Sequence, residues 1–359
     1  MTDIRTIKKI GHAVGFDLVE TTLLTQSEYA ERVSTWVDRG LHADMAWYEK
    51  SMDRRIDPRQ HLYGSAVTAI TVGLLYRPPD IPEEVLNDPS RGIIARYALY
   101  PDYHKVMGAM LKEFAQAVEK ELDSEWEYRV YVDTGPLLER EVGAKGGIGF
   151  IGKNTTLINP SLGSYMLLGE IICNVSIKGS SRSTALSPRR GKAENVEGTC
   201  GSCTRCQIAC PTNAFVEPYV LDARKCISYL TIENRGSVPD NLRPFMRNRI
   251  YGCDICQEVC PWNKKSDHLT MLQSTVDHAP HLLDLVGLDE DGFKYRYKGT
   301  PILRAKREGF IRNVLIAIGN WASEDAREYV TPLLKDESDI VREHASWALE
   351  QIDNCVNSK

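Results

Sequence analysis

Two stretches in the first half of the chain are apolar over strand length. Residues 66–74 read AVTAITVGL and residues 165–172 read YMLLGEII, the composition of strands buried on both faces. Between them, Met107, Met110, Leu111, Phe114, Val118 and Leu122 recur at helical spacing and predict an amphipathic helix over 106–122. Residues 1–177 therefore predict a domain of strands and helices. The pattern stops at 178–198, where Ser, Gly, basic side chains and Pro188 predict a linker. A short cysteine-rich unit follows over 199–264. Beyond it, over 265–359, Ile311-Arg312-Asn313 and Val341-Arg342-Glu343 recur 30 residues apart, and Pro332 lies between them. Each triplet opens an amphipathic segment (314–321 and 344–352), which predicts a HEAT-like helical repeat.

At 359 residues the chain can hold two or three cored domains, and its net charge of −5 argues against a protein that coats nucleic acid throughout. No apolar run approaches the roughly 20 residues needed to cross a bilayer. The first ten residues carry no signal-peptide pattern, so a cytoplasmic protein without a membrane partner is expected.

The cysteines change the picture most. Cys200, Cys203, Cys206 and Cys210-Pro211 spell C-x2-C-x2-C-x3-C-P, the bacterial ferredoxin run. Cys253, Cys256 and Cys260-Pro261 form a second set, with Cys226 upstream as its first member. In such a pair the cysteine before each proline serves the other cluster. One [4Fe-4S] cluster is then expected on Cys200, Cys203, Cys206 and Cys260, and the other on Cys210, Cys226, Cys253 and Cys256. Structural zinc would need only separated C-x2-C pairs, and disulfides would suit a short secreted chain. Cys173 and Cys355 stand outside the pattern as ordinary thiols.

Gly147-Ile-Gly149-Phe-Ile-Gly152-Lys153-Asn154 imitates both a dinucleotide fingerprint and a phosphate loop. Both require a strand before the loop and a helix after it. Here a helix-like stretch precedes and a strand-like stretch follows, and Asn154 stands where a Mg²⁺-binding hydroxyl belongs. Two readings stay open: glycines that let the backbone approach a bulky ligand, or a tight helix-to-strand turn. Asp133, in Val132-Asp133-Thr134-Gly135-Pro136, is likewise either a helix N-cap or an acid beside a redox centre.

Together these motifs resemble the epoxyqueuosine reductases, which complete the modified base queuosine in tRNA. The resemblance spans nearly the whole chain. It rests on Arg55-Ile-Asp-Pro58, Asp102-Tyr103-His104, the Asp133 segment, the glycine loop, Gly163-Ser164-Tyr165 and both cysteine sets. Cys226-Ile-Ser228, Tyr251-Gly-Cys253-Asp254, Thr300-Pro301-Ile302 and Arg312-Asn313 complete it. It implies an α+β fold: a nitroreductase-like cobalamin-binding domain, a ferredoxin-like two-cluster module and the helical repeat. It also implies a cobalamin cofactor touched by Arg55, Asp133, Leu157, Leu168, Ser228, Cys253 and Asp254, with Asp133 as proton donor, a role that a raised pKa would suit. Ala95 aligns where some relatives carry Cys. His104 lacks the glycine of a cobalamin-ligating motif, and the histidines are expected on the surface or in the core.

The implied substrate is a tRNA, the electrons coming from an external donor and the enzyme acting as a monomer. Arg304, Lys306, Arg307 and Arg312, with Lys294, Arg296 and Lys298, face a single nearby acid, Glu308, and are the expected phosphate contacts. Lys178, Arg182, Arg189, Arg190 and Lys192 form a second strip. The rival readings are a cobalamin-dependent reductive dehalogenase and a plain two-cluster electron carrier.

Overall fold

A computed structural model of the chain describes residues 3–76, 81–122, 126–180, 198–265 and 272–357. Its centre is a four-stranded sheet built from α1 (Ile4–Val14), β1 (Leu18–Leu23), β2 (Thr68–Leu75), α2 (Tyr103–Glu119), β3 (Tyr128–Tyr131), α3 (Glu139–Gly146) and β4 (Met166–Cys173). The strand order is β1-β2-β4-β3, and every neighbouring pair is antiparallel. The two apolar runs are β2 and β4, side by side, with every residue buried. Antiparallel strands usually leave one face to water. Here helices cover both.

Period-two alternation sorts the side chains. Ile70, Val72, Leu167 and Ile171 share a core with Met107, Leu111, Phe114 and Val118 of α2, as the helical spacing predicts. α1 closes against the same side. A Cβ at Gly11 would lie 2.6 Å from Val19, so the close approach of α1 requires that glycine. On the opposite face α3 covers two smaller clusters. One holds Ala69, Leu137, Val142 and Ile172, the other Leu75, Ala144, Leu157, Met166 and Leu168.

The two ends of the chain are joined by more than contact. Ile93–Ile94 pairs in parallel with Arg249–Tyr251, just before Cys253 of the second cysteine set. The apolar core continues from Ile7 through α4 (Lys306–Trp321) to Ile352 in α5 (Asp339–Asn357). α4 differs from the amphipathic expectation, because Gly309 to Gly319 is buried on all sides. α4 and α5 pack on each other closely enough that a Cβ on Gly319 would meet the Trp347 ring at 2.3 Å. Among the described residues no helix is long and apolar enough to cross a membrane. Residues 181–197 of the expected linker lie outside the described residues, with Arg182, Arg189, Arg190 and Lys192 among them.

The glycine loop is a helix-to-strand turn. Gly147 ends α3 in the left-handed region at φ 103°, and the chain then pairs Phe150–Ile151 with Leu157–Ile158. A Cβ on Gly149 would strike the Ile158 carbonyl oxygen at 2.3 Å. The close approach is therefore to the chain's own strand.

Candidate active site and cluster-binding loops

Beyond β3 the backbone turns sharply at Asp133, which takes φ 57°, a left-handed conformation uncommon outside glycine. α3 does not begin until Glu139, and its N-cap is Leu138, so Asp133 caps no helix. The Tyr103 hydroxyl donates to Asp133 Oδ2 at 2.6 Å, and His104 Nε2 lies 3.6 Å from the same oxygen. Both come from the first turn of α2, where Asp102 caps the helix and receives His104 Nδ1 at 2.9 Å. The Tyr103 and His104 rings stack at 4.1 Å. His104 is thus a member of the site, not a plain surface or core residue.

The proton balance differs from a single raised aspartic acid. Burial raises the Asp133 pKa, but the His104 and Tyr103 contacts and the charges of His104 and Arg140 outweigh it. The carboxyl is held below its ordinary value. In return the Asp133 contact, against burial and with help from Asp102, raises His104. The raised acid is Glu139, pushed up to about 7 by burial and then by the charge of Asp133. Behind it on β4, Glu170 is raised much further by burial, Glu139 and Asp133. Arg55, itself buried, bonds Ser51 Oγ at 3.1 Å and the Leu137 carbonyl at 3.2 Å, and lies 4.4 Å over the Tyr48 ring.

A continuous wall joins Asp133 to the second cysteine set. The Tyr97 ring meets Tyr103 at 6.0 Å and Tyr251 at 6.3 Å. The Ala95 N–H donates to the Tyr251 carbonyl at 2.7 Å, and a Cβ added to Gly252 would lie 2.5 Å from the Ala95 methyl. Next along, the Arg96 N–H donates to the buried Asp254 carboxylate at 2.7 Å. Leu157 and Leu168 share one apolar cluster, and Ser228 is the second residue of the short helix Ile227–Ile232, which Cys226 caps.

All ten cysteines are free thiols. Burial and then the neighbouring Cys200, Cys260 and Cys203 push the Cys206 thiol up to about 11. Burial raises Cys256 far more, followed by Cys253 and Cys226, and Cys226 is raised by burial with Cys210 as its thiol neighbour. Cys206 acts on Cys256 as well, so these neighbourhoods bring the two cysteine sets together without dividing them between two clusters. Backbone N–H groups also reach sulfur: Lys153 to Cys200 and Ala214 to Cys210, both at 3.4 Å. Lys153 Nζ ties the first loop down by donating to the Gly201 and Cys203 carbonyls at 2.8 and 2.9 Å.

Comparison with known proteins bears on the whole arrangement. Residues 199–263 match the family described as "4Fe-4S double cluster binding domain", and residues 55–134 match "Epoxyqueuosine reductase QueG, DUF1730". The epoxyqueuosine reductase of Xanthomonas campestris is 36% identical over 351 residues, covering 96% of this chain and 95% of that protein. The Escherichia coli enzyme is 35% identical, covering 96% and 88%. The chain belongs to the epoxyqueuosine reductase family. It is accordingly an oxidoreductase with a double [4Fe-4S] cluster domain. Among solved epoxyqueuosine reductases, one bound to an epoxyqueuosine-modified tRNA-Tyr stem loop superposes with a TM-score of 0.85 at 29% identity, covering 97% of this chain and 90% of that one. One from Bacillus subtilis, described with a catalytic aspartate loop swung out of the active site, gives 0.83 at 28% identity, covering 97% and 90%.

Against the family's tRNA substrate, the expected basic residues divide. Arg312 is 0% exposed and cannot meet a phosphate. Its guanidinium instead donates to the carbonyls of Leu230, Asn234 and Gly236, clamping the segment after Ser228 onto α4. Burial brings its pKa down to about 10. Arg307 is held by Asp336 at 2.6 Å. Arg304 pairs with Glu233 and lies 5.8 Å over the Trp47 ring while still partly exposed, and Lys306 is exposed. Pattern reading also passed over Glu139, Arg140 and Glu170. A glutamate inside an otherwise apolar strand was the visible signal for the last.

Proposed function

We propose that this chain reduces epoxyqueuosine to queuosine at the wobble position of tRNA. The reaction is a two-electron removal of the epoxide oxygen as water, through cobalamin fed by the two clusters, with Asp133 delivering the proton. The observation that carries this reading is the placement of Asp133. It is a strained, half-exposed acid at the open end of the wall that leads to the second cysteine set, in a chain whose family reduces this epoxide.

The residues suit both kinds of group in chemistry. Eight thiols in the double-cluster domain, with N–H groups on the sulfurs of Cys200 and Cys210, are a donor set for two cubanes. Leu157 and Leu168 would supply apolar contacts to a corrin and Arg55, Ser228 and Asp254 polar ones, with Ala95 and Cys253 beside them. When bound, cobalamin supplies the two-electron reducing centre that no side chain can. Everything else falls to the chain. Asp133, braced by Tyr103 and His104, meets the oxygen released from the ring. Seating a base over its exposed edge removes water and raises its pKa toward that of a useful acid. The raised Glu139 and His104 keep protons beside it. Arg304 and Lys306 lie on the surface where phosphates are steered, with Arg307 as a weaker contributor because of Asp336.

The enzyme works in the cytoplasm as a monomer and takes its electrons from an external one-electron donor. Reconstituted protein, cobalamin and a chemical reductant, mixed anaerobically with epoxyqueuosine tRNA, should convert the nucleoside only when all are present. Unchanged tRNA with clusters and corrin intact would sink the assignment.

A further inference from the structure

Glu170 is the least expected residue in the sheet. It sits in the middle of β4, opposite Thr71 of β2 and Tyr131 of β3, on the face that α3 covers. Its neighbours two residues away along that face are Leu168 and Ile172, an environment that suits an aliphatic side chain. It is 1% exposed, and neither carboxyl oxygen has a hydrogen-bond partner among the described residues. The facing Thr71 hydroxyl is also unpartnered.

Its surroundings point one way. β2 contributes Thr71 and no charge at this level. β3 contributes Tyr131, whose hydroxyl is engaged by His61 Nδ1 at 2.8 Å. α3 contributes Glu139, while Glu141 and Lys145 of the same helix pair with each other at 2.9 Å and bond Ser27 and Thr25 elsewhere. β1 contributes Glu20, which is held by Lys8 at 2.6 Å. The groups that act on Glu170 electrostatically are Glu139 and Asp133. Asp133 follows Tyr131 by two residues, and Glu139 opens α3 over the same face. Three carboxyl groups thus run from the sheet interior to the exposed edge where the substrate oxygen is expected.

We propose that Glu170 is a buried proton store that reloads Asp133 through Glu139 during the reduction. The inference rests on the reaction assigned above, which explains why one acid is not enough. Converting an epoxide to an alkene and water consumes two electrons and two protons. The electrons come from the external one-electron donor through the clusters. Asp133 gives the first proton to the oxygen as its first C–O bond breaks. Glu139 then passes a proton to Asp133 and is refilled from Glu170, so the second protonation releases water as the second C–O bond breaks. With the substrate covering Asp133, bulk water is a poor alternative source.

Infrared spectroscopy of the protein without substrate should show a protonated-carboxyl C=O band at pH 8 that shifts in D₂O and is missing from Glu170→Gln. Absence of the band from the wild type would overturn the store. In the reconstituted holoenzyme, Glu170→Gln should lower kcat about 10-fold, at the low end of general-acid effects. KM for tRNA should be unchanged and the solvent deuterium isotope effect larger. An unchanged kcat and isotope effect would overturn the relay. Should that variant not fold, Glu139→Gln interrupts the route one step later and should give the same pattern, and a normal kcat there is equally fatal. A wild type that fails to convert the epoxide would remove the reaction itself. A wild type that converts beside unaffected variants would remove only the relay.

Discussion

Asp133 shows how far a single side chain can be read without its neighbours. In sequence it could be a helix cap or an acid, and the late start of α3 at Glu139 removes the cap. Its strained backbone is fixed by partners from α2 that lie some 30 positions earlier, a pairing no local pattern encodes. The same partners lower its pKa, whereas a raised one was expected, and the raised acid is Glu139. That shift has a measurable consequence. A glutamate whose pKa moves from 4.5 unfolded to about 7 folded contributes stability below pH 4.5, and that contribution is lost as pH rises toward 7. Relative to wild type, Glu139→Gln should therefore become more stable between pH 5 and pH 8, by an upper bound of about 3 kcal/mol. Anaerobic urea midpoints at the two pH values measure this directly. Asp133→Asn loses the stability that a lowered pKa contributes at these pH values, so it should lower the midpoint modestly while cutting turnover at least about 100-fold.

Among the elements, β2, β4 and α2 were legible because long apolar runs and a strong 3.6 period are local signals. α4 was legible as a helix but not as a buried one, because burial on every side comes from α5 and the cluster segment, which the sequence does not place. Arg312 is the clearest case. Beside Lys306 and Arg307 it reads as part of a basic stripe, yet it turns inward to hold three backbone carbonyls. Arg312→Ala leaves those carbonyls unpaired and should destabilise the protein by about 3 to 5 kcal/mol, read from the urea midpoint. Arg304→Ala, an exposed pair, should cost no more than about 1 kcal/mol. The cysteine spacing made the double-cluster domain legible, because ligand geometry restricts it so tightly. Crossed ligation has its own check. Cys260→Ser should impair the cluster held by Cys200, Cys203 and Cys206, even though it lies in the second set. Its EPR signal should be lost or altered while that of the partner cluster remains.

For the molecule as a whole, an acidic chain of net charge −5 has to bind a polyanion. Exposed Arg304 and Lys306 are among the basic groups near α4, with Lys294, Arg296 and Lys298 also exposed, and binding should weaken steeply with salt as counterions are released. Substituting Arg304 and Lys306 by alanine should flatten that slope by nearly two, read from the salt dependence of Kd for a tRNA stem loop, whereas an unchanged slope would move the RNA surface elsewhere. The parallel ladder joining Ile93–Ile94 to Arg249–Tyr251 ties the segment leading to Tyr97 to the second cysteine set, the single frame that the proposed delivery of electrons and protons requires. The most direct test is anaerobic turnover of epoxyqueuosine tRNA by wild type and Asp133→Ala side by side, with the digested nucleosides read by mass spectrometry. The account predicts loss of one oxygen mass with wild type and none with the variant. Equal conversion by both would contradict the role of Asp133, and no conversion by either, with clusters and cobalamin bound, would contradict the reaction itself.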